Sequence, residues 1–256
     1  MKLAISGKGG VGKTTLTALL ARRLAERGRG VLAADADPDA NLAAALGFPS
    51  PDEIVPLAEM KELIGERMGT EPGAVGAYFK LNPKVDDLPA KYCIEHNGLR
   101  LIVMGMVKRG GAGCACPENM FLKALLDHVL LGPDEDVLVD MEAGLEHLGR
   151  ATAAAVDGLV VVVEPSLRSI ETLHRIRRLA ADIGLERCWP VANKVSCEED
   201  HAFLSQAVPG DGLAACVPAS EAIAAAGRGR GSLLTAEDGV WQAVDSVLEK
   251  IHADLS

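Results

Sequence analysis

The chain has 256 residues, with 26 Lys and Arg against 36 Asp and Glu, a formal charge of −10 that disfavours a general partner of nucleic acid or of anionic membrane surfaces. Apolar residues at 48 % predict a globular chain that buries a core without staples, and aromatic residues at 3 % leave few base-stacking platforms. No secretory signal or membrane-length apolar run is present, so the six cysteines predict a reducing cytoplasm in which thiols are packing groups, ligands or redox centres.

In chain order, Lys2–Ser6 reads as a short buried strand. A glycine-rich loop follows, Gly7-Lys8-Gly9-Gly10-Val11-Gly12-Lys13-Thr14-Thr15. Thr14–Gly28 then has helical periodicity through Leu16, Leu19, Leu20 and Leu24 and stops at a glycine. Val31–Ala36 is a second strand. Pro49–Asn97 is proline-rich and lacks a clear strand; it reads as helices and loops decorating one edge of a single domain spanning 1–256, since no flexible linker flanks it. Further strands are predicted at Leu99–Met104, Val137–Asp140, Leu159–Glu164, Pro190–Asn193 and Leu213–Val217. Helices are predicted at Glu118–Leu131, Ile170–Gly184 and Ala236–Ala253. Strands apolar on both faces, alternating with helices, predict an α/β fold with a mostly parallel sheet flanked by helices. Such sheets bind ligands at the carboxyl ends of their strands, which is where every motif below falls.

Gly7 to Thr14 fits the G-x-x-x-x-G-K-[ST] pattern between a strand and a helix. Glycines let backbone N–H groups turn inward around phosphate oxygens, and the helix N-terminus adds a positive field. Gly9, Gly10, Val11, Gly12 and Thr15 would line the cradle, Lys13 would reach the β- and γ-phosphates, and the Thr14 hydroxyl would bind Mg²⁺. Asp35-Ala36-Asp37-Pro38-Asp39 follows the second strand, where carboxylates can orient Mg²⁺ waters or an attacking water. Asp35 would support the metal from behind, and Asp39 reads as a turn or N-cap residue. Val137-Leu138-Val139-Asp140 is an apolar strand ending in an acid that would hold Mg²⁺ through water. Asn193, after a late strand, offers a donor and an acceptor to an adenine edge.

Gly113-Cys114-Ala115-Cys116-Pro117 sits between a strand and a helix. In an extended loop, residues i and i+2 project to one side, so both thiolates could share one soft metal. One pair supplies two ligands where a closed site wants about four. A symmetric dimer would bring the Cys114 and Cys116 of each chain together on the two-fold axis. The alternative is a pair of small residues in a glycine-rich loop. Cys93, Cys188, Cys197 and Cys216 have no close partner in sequence and read as packing residues.

Lys8 followed by two glycines resembles the deviant Walker A loop of the family that includes nitrogenase iron protein and the MinD and ParA ATPases. The resemblance implies that Lys8 reaches the nucleotide of a facing subunit, so that ATP joins two chains. It implies that Asp37 is the first-switch acid that assists hydrolysis, that Asn193-Lys194 recognises the base, and that Val217-Pro218 lines its other side. Within that family the chain resembles the CooC-type accessory ATPases of nickel carbon monoxide dehydrogenase. The residues that carry this likeness are the loop with Lys8, Asp35–Asp39, the segment Leu81–Asp86, the C-x-C loop with Glu118-Asn119, and Asp140–Arg150. It implies ATP and ADP as ligands, Mg²⁺, and Ni²⁺ or Zn²⁺ on Cys114 and Cys116 at a homodimer interface. It also implies a carbon monoxide dehydrogenase as client. Two alternatives stand beside it. One is a positioning ATPase, against which the acidic C-terminal helix argues. The other is an iron-protein-like reductase with a shared iron–sulfur cluster, whose cysteine ligands are far apart in sequence rather than at i and i+2.

Overall fold

Successive residues of the central strands point to opposite faces, and both faces are buried. The computed structural model describes residues 1–71, 79–105, 117–131, 136–142, 156–208 and 212–256. Within them lie strands β1 (Lys2–Gly7), β2 (Val31–Ala36), β3 (Ile94–His96), β4 (Leu99–Val103), β5 (Asp136–Met141), β6 (Gly158–Val163), β7 (Cys188–Val195) and β8 (Ala215–Pro218). They form one sheet in the order β3-β4-β2-β5-β1-β6-β7-β8. Every pairing is parallel except β3 with β4.

Two cores sandwich the sheet. Leu3, Ile5, Val31, Ala33, Leu138, Val160 and Val162 face α1 (Lys13–Glu26), α2 (Leu42–Leu46) and α9 (Asp238–Leu255). Ala4, Leu32, Ala34, Val137, Val139 and Val161 face α3 (Lys61–Met68), α4 (Leu88–Tyr92), α5 (Pro117–Leu131), α6 (Leu167–Asp182) and α7 (Glu198–Ala207). The remaining helix, α8 (Glu221–Ala226), follows β8. Covering on both sides is what a parallel sheet requires, and it explains why the strands read as continuous apolar runs.

α9 is a clear case of pattern becoming packing. Val240, Ala243, Val244, Val247, Leu248 and Ile251 recur at helical spacing and are buried. Polar contacts then fix its setting. Arg23 of α1 grips Asp245 through Nε at 2.7 Å and Nη2 at 2.6 Å, and Arg27 adds a bond at 2.7 Å. Trp189 Nε1 donates to Asp254 at 2.8 Å. Among the described residues no helix is long and apolar enough to cross a membrane.

The Pro49–Asn97 region contains α3, α4 and two short 3₁₀ turns. It also holds a strand that the sequence reading lacks. β3 is three residues long and returns antiparallel onto β4 through Asn97-Gly98, with φ of 49° and 77°. Both values are left-handed, as a two-residue hairpin of this kind needs, and Asn-Gly is its usual sequence.

Candidate functional site

β1 is the fourth of the seven parallel strands from either edge, flanked by β5 and β6, so the phosphate-type loop leaves the middle of the sheet. Gly7 has φ 150°, and a Cβ there would lie 2.5 Å from the Val162 carbonyl oxygen, so only glycine lets β6 press on the start of the loop. Gly12 has φ 98° and precedes the first residue of α1, and a Cβ there would strike the Asn193 amide. α1 carries no acid in its first turn, which leaves its positive end open to an anion. Lys13 is buried at the start of α1, with Thr14 and Thr15 half-buried beside it, while Gly9 and Gly10 are exposed and Val11 is buried.

Sheet register brings the acids together. Asp35 of β2 and Ile5 of β1 both lie opposite Asp140 of β5. Thr14 Oγ1 donates to Asp140 Oδ2 at 2.5 Å. Asp140 Oδ1 is fully buried and has no partner among the described residues. Burial pushes the Asp140 carboxyl up to about 7; the Thr14 bond and Lys13 oppose this, while Asp35 and Asp37 reinforce it. Burial likewise raises Asp35 to about 6, against bonds from the Leu42 N–H at 2.8 Å and the Asp37 N–H at 3.2 Å. Asp35 therefore braces the turn after β2. Asp37 is half-buried and accepts the Asp39 N–H at 3.0 Å, so the carboxylate that closes this turn is Asp37, while Asp39 is exposed.

The orphaned Asp140 oxygen beside a threonine hydroxyl fits a hard cation such as Mg²⁺. Among the described residues no three His, Cys, Asp or Glu side chains converge as a metal site. Mg²⁺ does not need such a cage, because it takes one or two protein ligands and completes its shell with phosphate and water.

The late strand supports the loop from the side. β7 is irregular against β8 between Ala192 and Val195, and Lys194 has φ 59°. Asn193 and Lys194 thereby turn toward the loop: Asn193 Nδ2 donates to the Val11 carbonyl at 2.7 Å, and Lys194 Nζ donates to the Gly10 carbonyl at 2.6 Å. One amide proton of Asn193 is thereby engaged with the loop backbone. Pro218 lies opposite Val195, and Val217 is buried, so the end of β8 stands at the same end of the sheet.

Two contributors escaped the sequence reading. Ser6 Oγ donates to the Glu142 carbonyl at 2.9 Å, tying β1 to the chain just after Asp140. Glu164 follows β6 and pairs with Lys8 at 3.8 Å and Lys194 at 3.3 Å. The available signal for Glu164 was the one that picked out Asp140: an acid closing an apolar strand.

Cys114 and Cys116 lie outside the described residues. The last described residue before them, Gly105, donates its N–H to the Asp35 carbonyl at 3.1 Å, so the chain departs from the end of the sheet that holds the acids. Of the other thiols, Cys93, Cys188 and Cys216 are half-buried and Cys197 is exposed. Burial pushes the Cys188 and Cys216 thiols up, with Arg177 opposing this at Cys188, which suits packing groups better than thiolate ligands.

Comparison with known proteins matches this architecture. Residues 2–230 fit the model of the CobQ/CobB/MinD/ParA nucleotide binding domain. The chain is 45 % identical over 228 residues to the carbon monoxide dehydrogenase accessory protein CooC of Rhodospirillum rubrum, covering 88 % of this chain and 86 % of the relative. An uncharacterised ATP-binding protein of Methanocaldococcus jannaschii is also 45 % identical, over 78 % of this chain and 77 % of its own. Among solved structures, the septum site-determining protein MinD of Pyrococcus horikoshii, complexed with Mg-ADP, shares the fold. Its TM-score is 0.67 at 22 % identity, over 100 % of this chain and 97 % of that one. The phosphate loop, the paired acids in register and the relatives converge: the chain belongs to the CobQ/CobB/MinD/ParA family of nucleotide-binding domains, as a CooC-type P-loop ATPase.

Proposed function

We propose that the chain is an ATP-dependent maturation factor for a carbon monoxide dehydrogenase. In this reading it works in the cytoplasm as a homodimer, holds nickel or zinc through Cys114 and Cys116 of both chains, and assists nickel insertion into the client. The observation that carries the reading is the 45 % identity, over 88 % of the chain, to an accessory protein of that enzyme. Lys8, in a loop of the deviant type, supports ATP-dependent dimerisation.

Lys13 and the inward N–H groups of the loop bind the β- and γ-phosphates. Thr14 and Asp140, braced by Asp35, would hold Mg²⁺, which supplies charge neutralisation across the phosphates. Asp37 orients the attacking water. Asn193, with Lys194, Val217 and Pro218 around it, recognises the base. Lys8 reaches the partner's nucleotide, so closing the dimer gathers the thiolates, and hydrolysis followed by opening releases the metal as cargo.

The reading is tested by nickel and zinc stoichiometry and dimer fraction, with and without ATP, in wild type and in Cys114→Ser/Cys116→Ser. About one metal per dimer is expected in the wild type and none in the double variant, four thiolates being a full shell. Unchanged metal binding in the double variant would sink it.

A further inference from the structure

Three contacts hold the rim of the phosphate loop from outside. Asn193 takes the Val11 carbonyl, Lys194 takes the Gly10 carbonyl, and Glu164 pairs with both Lys8 and Lys194. A carbonyl drawn outward turns the N–H of the next residue the opposite way, because the peptide unit is planar. The bond to Val11 therefore aims the N–H of Gly12 toward the phosphate side, while the Val11 N–H donates to the Lys8 carbonyl at 3.4 Å within the loop.

Glu164 is the hub of this arrangement, and its backbone is fixed. Its N–H lies 3.0 Å from Ser169 Oγ and its carbonyl accepts the Ser166 N–H at 2.6 Å, within the turn that caps α6. Its two oxygens divide the work: Oε1 lies 3.8 Å from Lys8 Nζ and Oε2 lies 3.3 Å from Lys194 Nζ. The Lys8 pair exceeds hydrogen-bond length and is partly exposed, so it is a loose, breakable restraint.

We infer that Glu164 is a positioning residue that keeps Lys8 on its own subunit until a nucleotide-loaded partner competes for it, while anchoring Lys194 against the loop. This rests on the reading that Lys8 acts across a dimer. The chemistry is competition between one carboxylate in cis and phosphate oxygens in trans. The polyanion wins only when a triphosphate is present and the second chain is near. Lys194 keeps its carbonyl bond after Lys8 departs, so the cradle survives release.

The test uses the full chain in wild type, Glu164→Gln, Lys194→Gln and Lys8→Ala. Lys8 is first labelled in the nucleotide-free protein with an amine-directed acylating reagent and read by mass spectrometry. Dimerisation is then titrated with a non-hydrolysable ATP analogue. Glu164→Gln should label at Lys8 several-fold faster. It should also dimerise at roughly 4- to 25-fold lower protein concentration, since two exposed pairs, each worth about two- to fivefold, no longer have to break. Lys194→Gln should not speed Lys8 labelling and should weaken analogue binding. Unchanged Lys8 labelling in Glu164→Gln, or equal acceleration in Lys194→Gln, overturns the restraint, the latter by pointing to general loosening of the loop. Faster labelling without easier dimerisation overturns the gate. Wild-type dimerisation of Lys8→Ala would overturn the dimer reading and the gate together, with labelling still reporting the Glu164 contact separately.

Discussion

At the scale of single residues, the site stores opposed charge. Asp140 is fully buried with one oxygen unpartnered among the described residues, and Asp35 is fully buried beside it. In the unfolded chain the Asp140 carboxyl titrates near 3.8, and in the empty fold near 7. Below the lower value both states are protonated and the group contributes nothing. Between the two values the folded state keeps a proton that the unfolded state has lost, so stability falls as pH rises, and above about 7 the penalty is constant. Asp140→Asn should therefore stabilise the nucleotide-free protein by ~2–4 kcal/mol at pH 8, fade to no effect below pH ~4, and suppress Mg²⁺-dependent hydrolysis. Denaturant melts across pH with parallel phosphate-release assays check this. A variant less stable than wild type at pH 8 would contradict it. The placement of Asp140 near the end of an apolar strand and of Lys13 at the start of a helix was legible because each closes a recognisable local pattern. Glu164 closes an apolar strand as Asp140 does, but its partners Lys8 and Lys194, like the Glu142 partner of Ser6, become neighbours only through sheet order.

At the scale of elements, strands and long helices were legible because burial on both faces of the sheet leaves continuous apolar runs, and one buried face of a helix leaves a stripe. β2 was predicted with the bounds it has, and α9 within two residues at each end. β3 was missed since three residues carry no period, although Asn97-Gly98 marks its turn. α7 was missed too: its first turn holds Glu198, Glu199 and Asp200, and Leu204 alone of its residues is buried, too little for a stripe. Between elements, the bond of Arg23 and Arg27 to Asp245 joins α1 to α9, and those arginines hold the Asp245 carboxyl below its usual range. Asp245→Ala should cost about 1 kcal/mol, seen as a fall of ~2–4 °C in Tm, with nucleotide affinity unchanged. Calorimetry paired with a nucleotide-binding isotherm separates the two. A loss of affinity equal to the loss of stability would show that α9 reaches the site.

At the scale of the whole molecule, the order of strands gathers the chemistry. β2, β5, β1, β6 and β7 are consecutive in the sheet and end in Asp35, Asp140, the phosphate loop, Glu164 and Asn193. In the chain these are spread from residue 7 to residue 193, and parallel pairing alone aligns them. The far ends of the same strands bear something else. The protein has two tryptophans. Trp189 lies near the start of β7, four residues or ~13 Å from Asn193 along an extended strand, with its indole bonded to Asp254 of α9. Trp241 belongs to α9 and lies under Arg23, ten residues or ~15 Å along α1 from Lys13. Both indoles thus watch α9 and neither touches the phosphate loop. Tryptophan emission in this protein is a built-in gauge of whether the C-terminal helix is seated: it should stay flat through an ATP titration of the monomer and shift when Asp245→Ala loosens that helix.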